Sequence, residues 1–340
     1  MGEVHNVVII GAGPAGLACA RQLMNTDFKV FIIDHKEEPW SKLCAGGVRI
    51  NDLENIGLMP DKVNGCDILL SEDDGQMVEF TTIDRKLLGK WQLKLIDKAE
   101  NISLKFGWKM IDLTADHVYI RNGKNNQDIK FDYLVGADGS LSNVRKKLGV
   151  PIRKECMLNL IQGNFPLNKD LNQYDTLTFF YDRALFGDWY GYIFPNRRLN
   201  LAKVGCVTGI PWLKENDFNI RALMMEWLKT INLDSNGIAL KVAFINADYQ
   251  GYDYTESNLG KVFLCGDAAG FAFYLSGEGI HQALVSGSET GKMILNKNYI
   301  PEQLNEIIDR KQHEIIGQRL NHEKGKWSRM SRFLHRLIKP

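Results

Sequence analysis

The chain has 340 residues, a formal net charge of +1 and 44% hydrophobic residues. Such a balance gives no reason to expect a nucleic-acid partner, suits the core of one large or two interleaved domains, and no run reaches the ~18 apolar residues of a transmembrane helix. Six scattered cysteines (Cys19, Cys44, Cys66, Cys156, Cys206, Cys265) form no C-x-x-C pair, which argues against a metal centre and for a reducing cytoplasm.

The amino terminus has no basic stretch, so no signal peptide is expected, and Asn6 stands where a myristoylation motif needs Ser or Thr. His5 to Ile10 reads as a short apolar strand that opens Gly11-Ala12-Gly13-Pro14-Ala15-Gly16. Gly11 permits the tight turn, Gly13 lets the backbone approach a pyrophosphate, and Gly16 lets the next helix pack close to the strand. That helix, from about Pro14 to Met24, aims its free N–H groups and positive dipole end at the phosphates. A second strand, Lys29 to Ile33, delivers Asp34 about 20 residues beyond the glycines, where an acid binds ribose hydroxyls and disfavours a 2′-phosphate. The segment predicts a site for FAD or NAD rather than NADP.

A loop follows at 38–50. Residues 83–100 predict a helix with Leu87, Leu88, Trp91, Leu95 and Ile96 on one face. Short strands are expected at 104–110, 117–121 and 128–135, with Asn122-Gly123 as a hairpin turn. The last of them enters a second dinucleotide segment, Tyr133-Leu134-Val135-Gly136-Ala137-Asp138-Gly139-Ser140. From about 151 to 255 strands dominate, at 157–165, 176–181, 189–194, 199–208 and 239–247, interrupted by a helix at 219–229. Tyr190, Tyr192 and Phe194 alternate and so share one strand face. They read as the apolar wall of a substrate cavity, with ordinary sheet core as the other role open to this aromatic cluster. Residues 261–264 return to the nucleotide domain and open a third segment, Val262 to Gly270, before a helix at 277–296. Residues 301–340 are expected to be helical throughout.

The predicted architecture is α/β. A Rossmann-type nucleotide-binding domain (1–66, 84–150 and 256–298) carries an inserted antiparallel β-sheet substrate domain (67–83 and 151–255), followed by a C-terminal helical segment (299–340). In that segment Trp327, Met330, Leu334, Leu337 and Ile338 recur at helical spacing between Lys326, Arg329, Arg332, Arg336 and Lys339. The pattern suits either an anionic membrane surface or packing on the chain's own domain.

Taken together, Lys42-Leu43-Cys44-Ala45-Gly46-Gly47, Gly266-Asp267-Ala268-Ala269-Gly270-Phe271, Gly277-Glu278-Gly279-Ile280, Ser286-Gly287 and Tyr190-Gly191-Tyr192-Ile193-Phe194-Pro195 resemble the geranylgeranyl reductase family. That family lies among the flavoproteins built like p-hydroxybenzoate hydroxylase. The resemblance implies FAD as the cofactor. It implies that Gly11, Gly13, Ala15 and Gly16 hold the pyrophosphate and Asp34 the adenosine ribose. It places Cys44, Ala45 and Gly47 along the flavin, Arg85 within reach of FAD, Asp138 near the pyrophosphate and Asp267 on the ribityl chain. Gly279 and Ile280 would present N–H groups to the flavin N1–C2 carbonyl edge, where a helix N-terminus stabilises the negative charge of reduced flavin. Three departures fall on the substrate side. Tyr274 replaces a proline, Tyr192 replaces a tryptophan, and Gly205-Cys206-Val207 lacks a second glycine.

The implied reaction is reduction of a carbon–carbon double bond in an apolar, isoprenoid substrate. Hydride on one carbon requires a proton on the other, and Cys44 is the candidate donor because an ordinary thiol is protonated at neutral pH. Packing beside the ring is the other role open to it. His281 could tune the flavin or merely cap its helix. No second glycine-rich strand–turn–helix exists for NAD(P)H, so the electron donor is NAD(P)H bound transiently or a carrier such as ferredoxin. Two other functions share these residues: a flavin monooxygenase or halogenase, and a non-catalytic flavoprotein or lipid-binding module. The missing tryptophan-rich halogenase signature and Tyr274 argue against the first, and the complete set of flavin-contact positions against the second. The expected location is cytoplasmic, with 325–340 open either to contact with a membrane surface or to packing on the chain's own domain.

Overall fold

The computed structural model describes residues 5–58, 69–73, 76–168 and 170–324. A six-stranded sheet runs in the order Asp253–Ser257, Gly260–Leu264, Tyr133–Gly136, Asn6–Ile10, Lys29–Asp34 and Ile102–Phe106. Every neighbouring pair is parallel except the first. Side chains of a strand alternate between faces, so a parallel sheet needs cover on both. Val7 and Ile9 pack beneath the helix Pro14–Gln22 and the helix Ile280–Leu295. Val8 and Ile10 pack on the other face, against the small sheet of Lys109–Leu113, His117–Asn122 and Asn125–Lys130 and against Leu304 and Ile307.

The two covering helices approach closely because glycines line the contact. A Cβ on Gly287 would lie 2.0 Å from the Ala15 carbonyl oxygen, and one on Gly291 would lie 2.7 Å from Gln22 Cβ. The third glycine of the first segment, Gly16, packs against the Gly11 carbonyl in the same way, at 1.9 Å.

Several expected elements divide. The strand read at 128–135 is two strands in two sheets, Asn125–Lys130 and Tyr133–Gly136, because the chain crosses between layers at Phe131 and Asp132. The run 104–110 divides at Gly107, whose φ is +76°, into Ile102–Phe106 and Lys109–Leu113. Asn122 pairs with Asn125, so the hairpin turn is Gly123-Lys124 rather than Asn122-Gly123. The helix read at 83–100 spans Arg85–Ile96, with the Asp84 carboxylate accepting from the Lys86 and Leu87 amides as its N-cap. The loop at 38–50 contains a short 3-10 turn, Pro39–Ser41, and a strand, Gly47–Arg49. That strand pairs with Gln76–Thr82 in a third sheet that also holds Leu69–Asp73.

The inserted sheet is antiparallel, in the order Thr178–Phe180, Tyr190–Asn196, Leu201–Gly209, Met157–Pro166 and Lys241–Asn246. One face carries Ile161, Ile193, Val204 and Cys206 against Phe186 and the helix Ile220–Thr230. The other carries Tyr190, Tyr192 and Phe194 toward the nucleotide domain. The late helix starts at Ile280 rather than 277, and Gly277, with φ +65°, lies before it in irregular backbone. The C-terminal helix spans Glu302–Lys324. Residues 325–340, with Trp327 and the basic cluster, lie outside the described residues. Among those described, no helix is long and apolar enough to cross a membrane.

Candidate functional site

The three dinucleotide segments meet at the C-terminal ends of the parallel strands, where open α/β sheets bind ligands. Gly11 has φ +108°, and a Cβ there would overlap the Ala137 carbonyl oxygen at 2.2 Å. Only glycine allows the first and second segments to touch in this way. Asp34 Oδ2 accepts a hydrogen bond of 2.9 Å from the Ala12 amide, and Oδ1 accepts one of 2.9 Å from Lys36. The ribose acid is thereby tied to the glycine turn.

Asp267 brings together the third segment, the second segment and the 38–50 loop. Its Oδ2 accepts from Lys42 Nζ at 2.6 Å and lies 2.8 Å from Ser140 Oγ. Gly279 stands beside its other oxygen, 3.3 Å from where a Cβ would be. A second ion pair crosses nearby: Arg49 Nε donates to Glu278 Oε1 at 2.9 Å, with both side chains mostly buried. A third polar link follows one turn on, where His281 Nδ1 lies 2.7 Å from Asp52 Oδ1. The cysteine-bearing loop and the Gly-Glu-Gly coil are thus clamped together by side chains from both.

The residues present fit FAD on four observations. Among the described residues, chain neighbours aside, no atom lies within 4 Å of a Cβ built on Gly13 or Gly139, so both face open space. Arg85 is 9% exposed, yet its Nε has no hydrogen-bond partner. Asp138 Oδ1 is likewise buried and unpartnered, although Oδ2 accepts from the Asn143 and Val144 amides. No side chain caps the helix that begins at Pro14 or the one that begins at Ile280, so both leave N–H groups for anionic or carbonyl oxygens. Gly11, Gly13, Ala15, Gly16 and Asp34 would hold the dinucleotide end. Asp267, Gly279, Ile280 and the loop Cys44, Ala45 and Gly47 would hold the flavin end.

The aromatic face of the inserted sheet closes over that loop. Tyr190, Tyr192 and Phe194 pack in one cluster with Leu43 and Ala45, and a Cβ on Gly47 would lie 3.4 Å from Phe194. Phe179 and Tyr181 extend the cluster, whereas Phe180 and Phe186 turn to the opposite core. The Tyr192 hydroxyl donates to Gln162 Oε1 at 2.9 Å, and the Tyr190 hydroxyl bonds to the Ser276 carbonyl. Burial pushes both phenols far above the usual tyrosine range, so they stay protonated. Trp189 Nε1 donates to the Tyr274 carbonyl and packs edge-on against the Tyr274 ring. Tyr274 therefore forms an aromatic corner with Trp189.

Sequence reasoning gave no role to Lys42, Arg49, Ser140 or Glu278, and missed Gln92 and Lys203. Gln92 Nε2 donates to the Pro14 carbonyl and so braces the first segment from the helix that carries Arg85. Its position seven residues after Arg85 was the only signal available, since the two lie on one helix face. The others depend on contacts between distant segments and leave no local trace.

Comparison with known proteins agrees with this geometry. The sequence pattern of the pyridine nucleotide-disulphide oxidoreductase family matches residues 5–165. The chain is 27% identical over 336 residues to digeranylgeranylglycerophospholipid reductase 3 of Methanosphaera stadtmanae, covering 89% of this chain and 81% of that one. It is 24% identical over 300 residues to geranylgeranyl diphosphate reductase of Rhodobacter capsulatus, covering 83% and 73%. A geranylgeranyl bacteriochlorophyll reductase-like protein of Thermoplasma acidophilum superposes with a TM-score of 0.70 at 18% identity, over 93% of this chain and 84% of that one. On these likenesses the chain is an FAD-dependent oxidoreductase that is similar to the geranylgeranyl reductases.

Proposed function

We propose that this enzyme reduces carbon–carbon double bonds of an isoprenoid lipid. The observation that carries the reading is the aromatic wall of Tyr190, Tyr192 and Phe194 packed directly on Leu43 and Ala45, next to Cys44. FAD held by these segments would, when reduced, be the source of hydride for one olefin carbon. The chain's own residues do the rest. The aromatic face excludes water and offers an apolar surface to a prenyl chain, whose burial contributes about 25 cal/mol per Å². Cys44, half-buried on the loop, supplies the proton for the second carbon. Arg49, Glu278, Lys42 and Asp267 hold the two sides of the flavin site in register. The reductase names of the relatives support the substrate class.

The test is an anaerobic stopped-flow experiment on the chemically reduced holoenzyme. Reoxidation by a geranylgeranyl-bearing lipid, with a saturated product by mass spectrometry, is the expected result. Reoxidation by oxygen through a hydroperoxide intermediate, without reaction with the olefin, would make the enzyme a monooxygenase instead. Inertness to both would leave a flavoprotein without this chemistry.

A further inference from the structure

Lys203 is a buried cation that the reaction described above does not use. It sits on the strand Leu201–Gly209, paired with Phe194 of the aromatic strand, and is 6% exposed. Its Nζ makes one hydrogen bond among the described residues, to the Ile83 carbonyl at 3.3 Å. The same nitrogen lies 3.0 Å from where a Cβ on Gly46 would be, so it abuts the loop two residues after Cys44. Among the described residues no carboxylate forms an ion pair with it. Asp84 favours its charge from nearby, but its Oδ1 accepts from the Lys86 and Leu87 amides, and Arg85 adds an opposing positive charge. A buried ammonium without a directly paired anion is costly.

A group near enough to act on it and able to become an anion is Cys44. Cys44 packs against the cluster that includes Ile83, the residue whose carbonyl holds Lys203. Burial lowers the Lys203 ammonium below the usual lysine range, and negative charge at Cys44 acts to raise it again. We propose that Lys203 is a positioning residue for Cys44, its ammonium stabilising the thiolate left when Cys44 gives up its proton. This rests on Cys44 being the proton donor. In that step the S–H proton goes to the second olefin carbon, whose π electron pair becomes the new C–H bond. The S–H pair stays on sulfur, and the hydride for the first carbon comes from the reduced cofactor. Solvent returns the proton to Cys44, which is half-exposed, whereas Lys203 is closed off and acts through its charge alone.

The experiment is alkylation of the FAD-loaded protein with iodoacetamide near neutral pH, scored at Cys44 by peptide mass spectrometry. Thiolate is the reacting species, and a neighbouring ammonium raises its share. Lys203→Met should slow Cys44 alkylation about tenfold, while Lys203→Arg stays within about twofold. Half-buried Cys156, which sits among Arg153, Glu155 and Asp248, is the internal reference and should not change. Lys203→Gln keeps a donor for the Ile83 carbonyl and is carried alongside in case the methionine variant fails to fold. Unchanged Cys44 alkylation in both neutral variants overturns the proposal. So does equal slowing at Cys156, or a wild-type Cys44 that does not react. Failure of the proton-donor reading shows separately, as full olefin reduction by Cys44→Ala.

Discussion

Lys42 Nζ and Asp267 Oδ2 lie 2.6 Å apart across 225 positions of sequence, and Ser140 Oγ meets the same oxygen at 2.8 Å. One carboxylate therefore organises three separated segments, and we propose that it also binds the ribityl chain. Asp267→Asn keeps the shape but leaves Lys42 without its counter-charge and weakens acceptance from hydroxyls. FAD affinity should fall about tenfold to a hundredfold, as expected for loss of a charge-assisted bond. Lys42 is 39% exposed on its side chain, so Lys42→Ala should cost less, because solvent screens that end of the pair. Titration of apoprotein by flavin fluorescence quenching measures both; a larger loss in Lys42→Ala would reverse this assignment.

The Arg49–Glu278 pair is more enclosed, with side-chain exposures of 12% and 18%. Removing Glu278 takes away the carboxylate that Arg49 reaches from the other loop. Glu278→Gln should destabilise the holoenzyme by about 2 kcal/mol, at the low side of what breaking a buried pair costs. Arg49 also lies over the Phe80 ring, 5.8 Å from its centroid. The double variant Arg49→Met with Glu278→Met should recover part of the loss, since both charges of the pair are then removed together. Urea unfolding of wild type, Arg49→Met, Glu278→Met and the double variant gives the coupling directly, and strict additivity of the two single changes would show that the pair does not clamp the loops.

The glycines separate stability from cofactor binding. Gly13 has φ −78° and no protein atom near its Cβ position. Gly13→Ala should leave apoprotein stability within about 0.5 kcal/mol and yet weaken FAD, because the methyl enters the space left for the pyrophosphate. Gly287→Ala should do the reverse. Its methyl would meet the Ala15 carbonyl at 2.0 Å, forcing the two helices apart at a cost of about 3 kcal/mol. Thermal melts with and without FAD distinguish the two patterns.

Much of the nucleotide domain was legible because its constraints are local. A turn at Gly11, a close crossing at Gly16 and an acid at Asp34 each follow from one residue's geometry within one strand–helix–strand unit. The alternation of Tyr190, Tyr192 and Phe194 likewise fixed a shared face, and the structure turns that face toward the flavin loop. The strand ending at Lys130 and the one starting at Tyr133 were merged because both are short runs of strand character. Only the layer crossing at Phe131 and Asp132 tells them apart. The clamp residues were illegible for a different reason. Arg49 with Glu278, His281 with Asp52 and Lys203 with Ile83 join segments more than a hundred residues apart, and a single sequence carries no periodicity across such a gap. Lys203 in particular reads as one polar residue in an apolar strand, which ordinarily points to solvent.

Asp138 yields a pH dependence whose sign is fixed by its burial. Enclosure pushes its carboxyl above the usual range, and the hydrogen bonds from Ser142, Val144 and Asn143 pull it only part of the way back. A carboxyl whose folded pKa lies above its unfolded value of 3.8 contributes stability below that value. The contribution is lost as pH rises through the folded pKa. Asp138→Asn removes the titration but keeps an oxygen that can accept from the Asn143 and Val144 amides. In the apoprotein, wild type and variant should therefore melt alike in acid, and the variant should gain on wild type as pH rises toward neutrality. Thermal melts at a series of pH values check this, with the opposite trend, a variant that falls behind as pH rises, showing that the two amide bonds to the ionised carboxylate outweigh its burial. With FAD bound the advantage should shrink if the unpartnered Oδ1 finds a donor or an ordered water at the pyrophosphate, because the ionised form then gains a partner it lacks in the apoprotein.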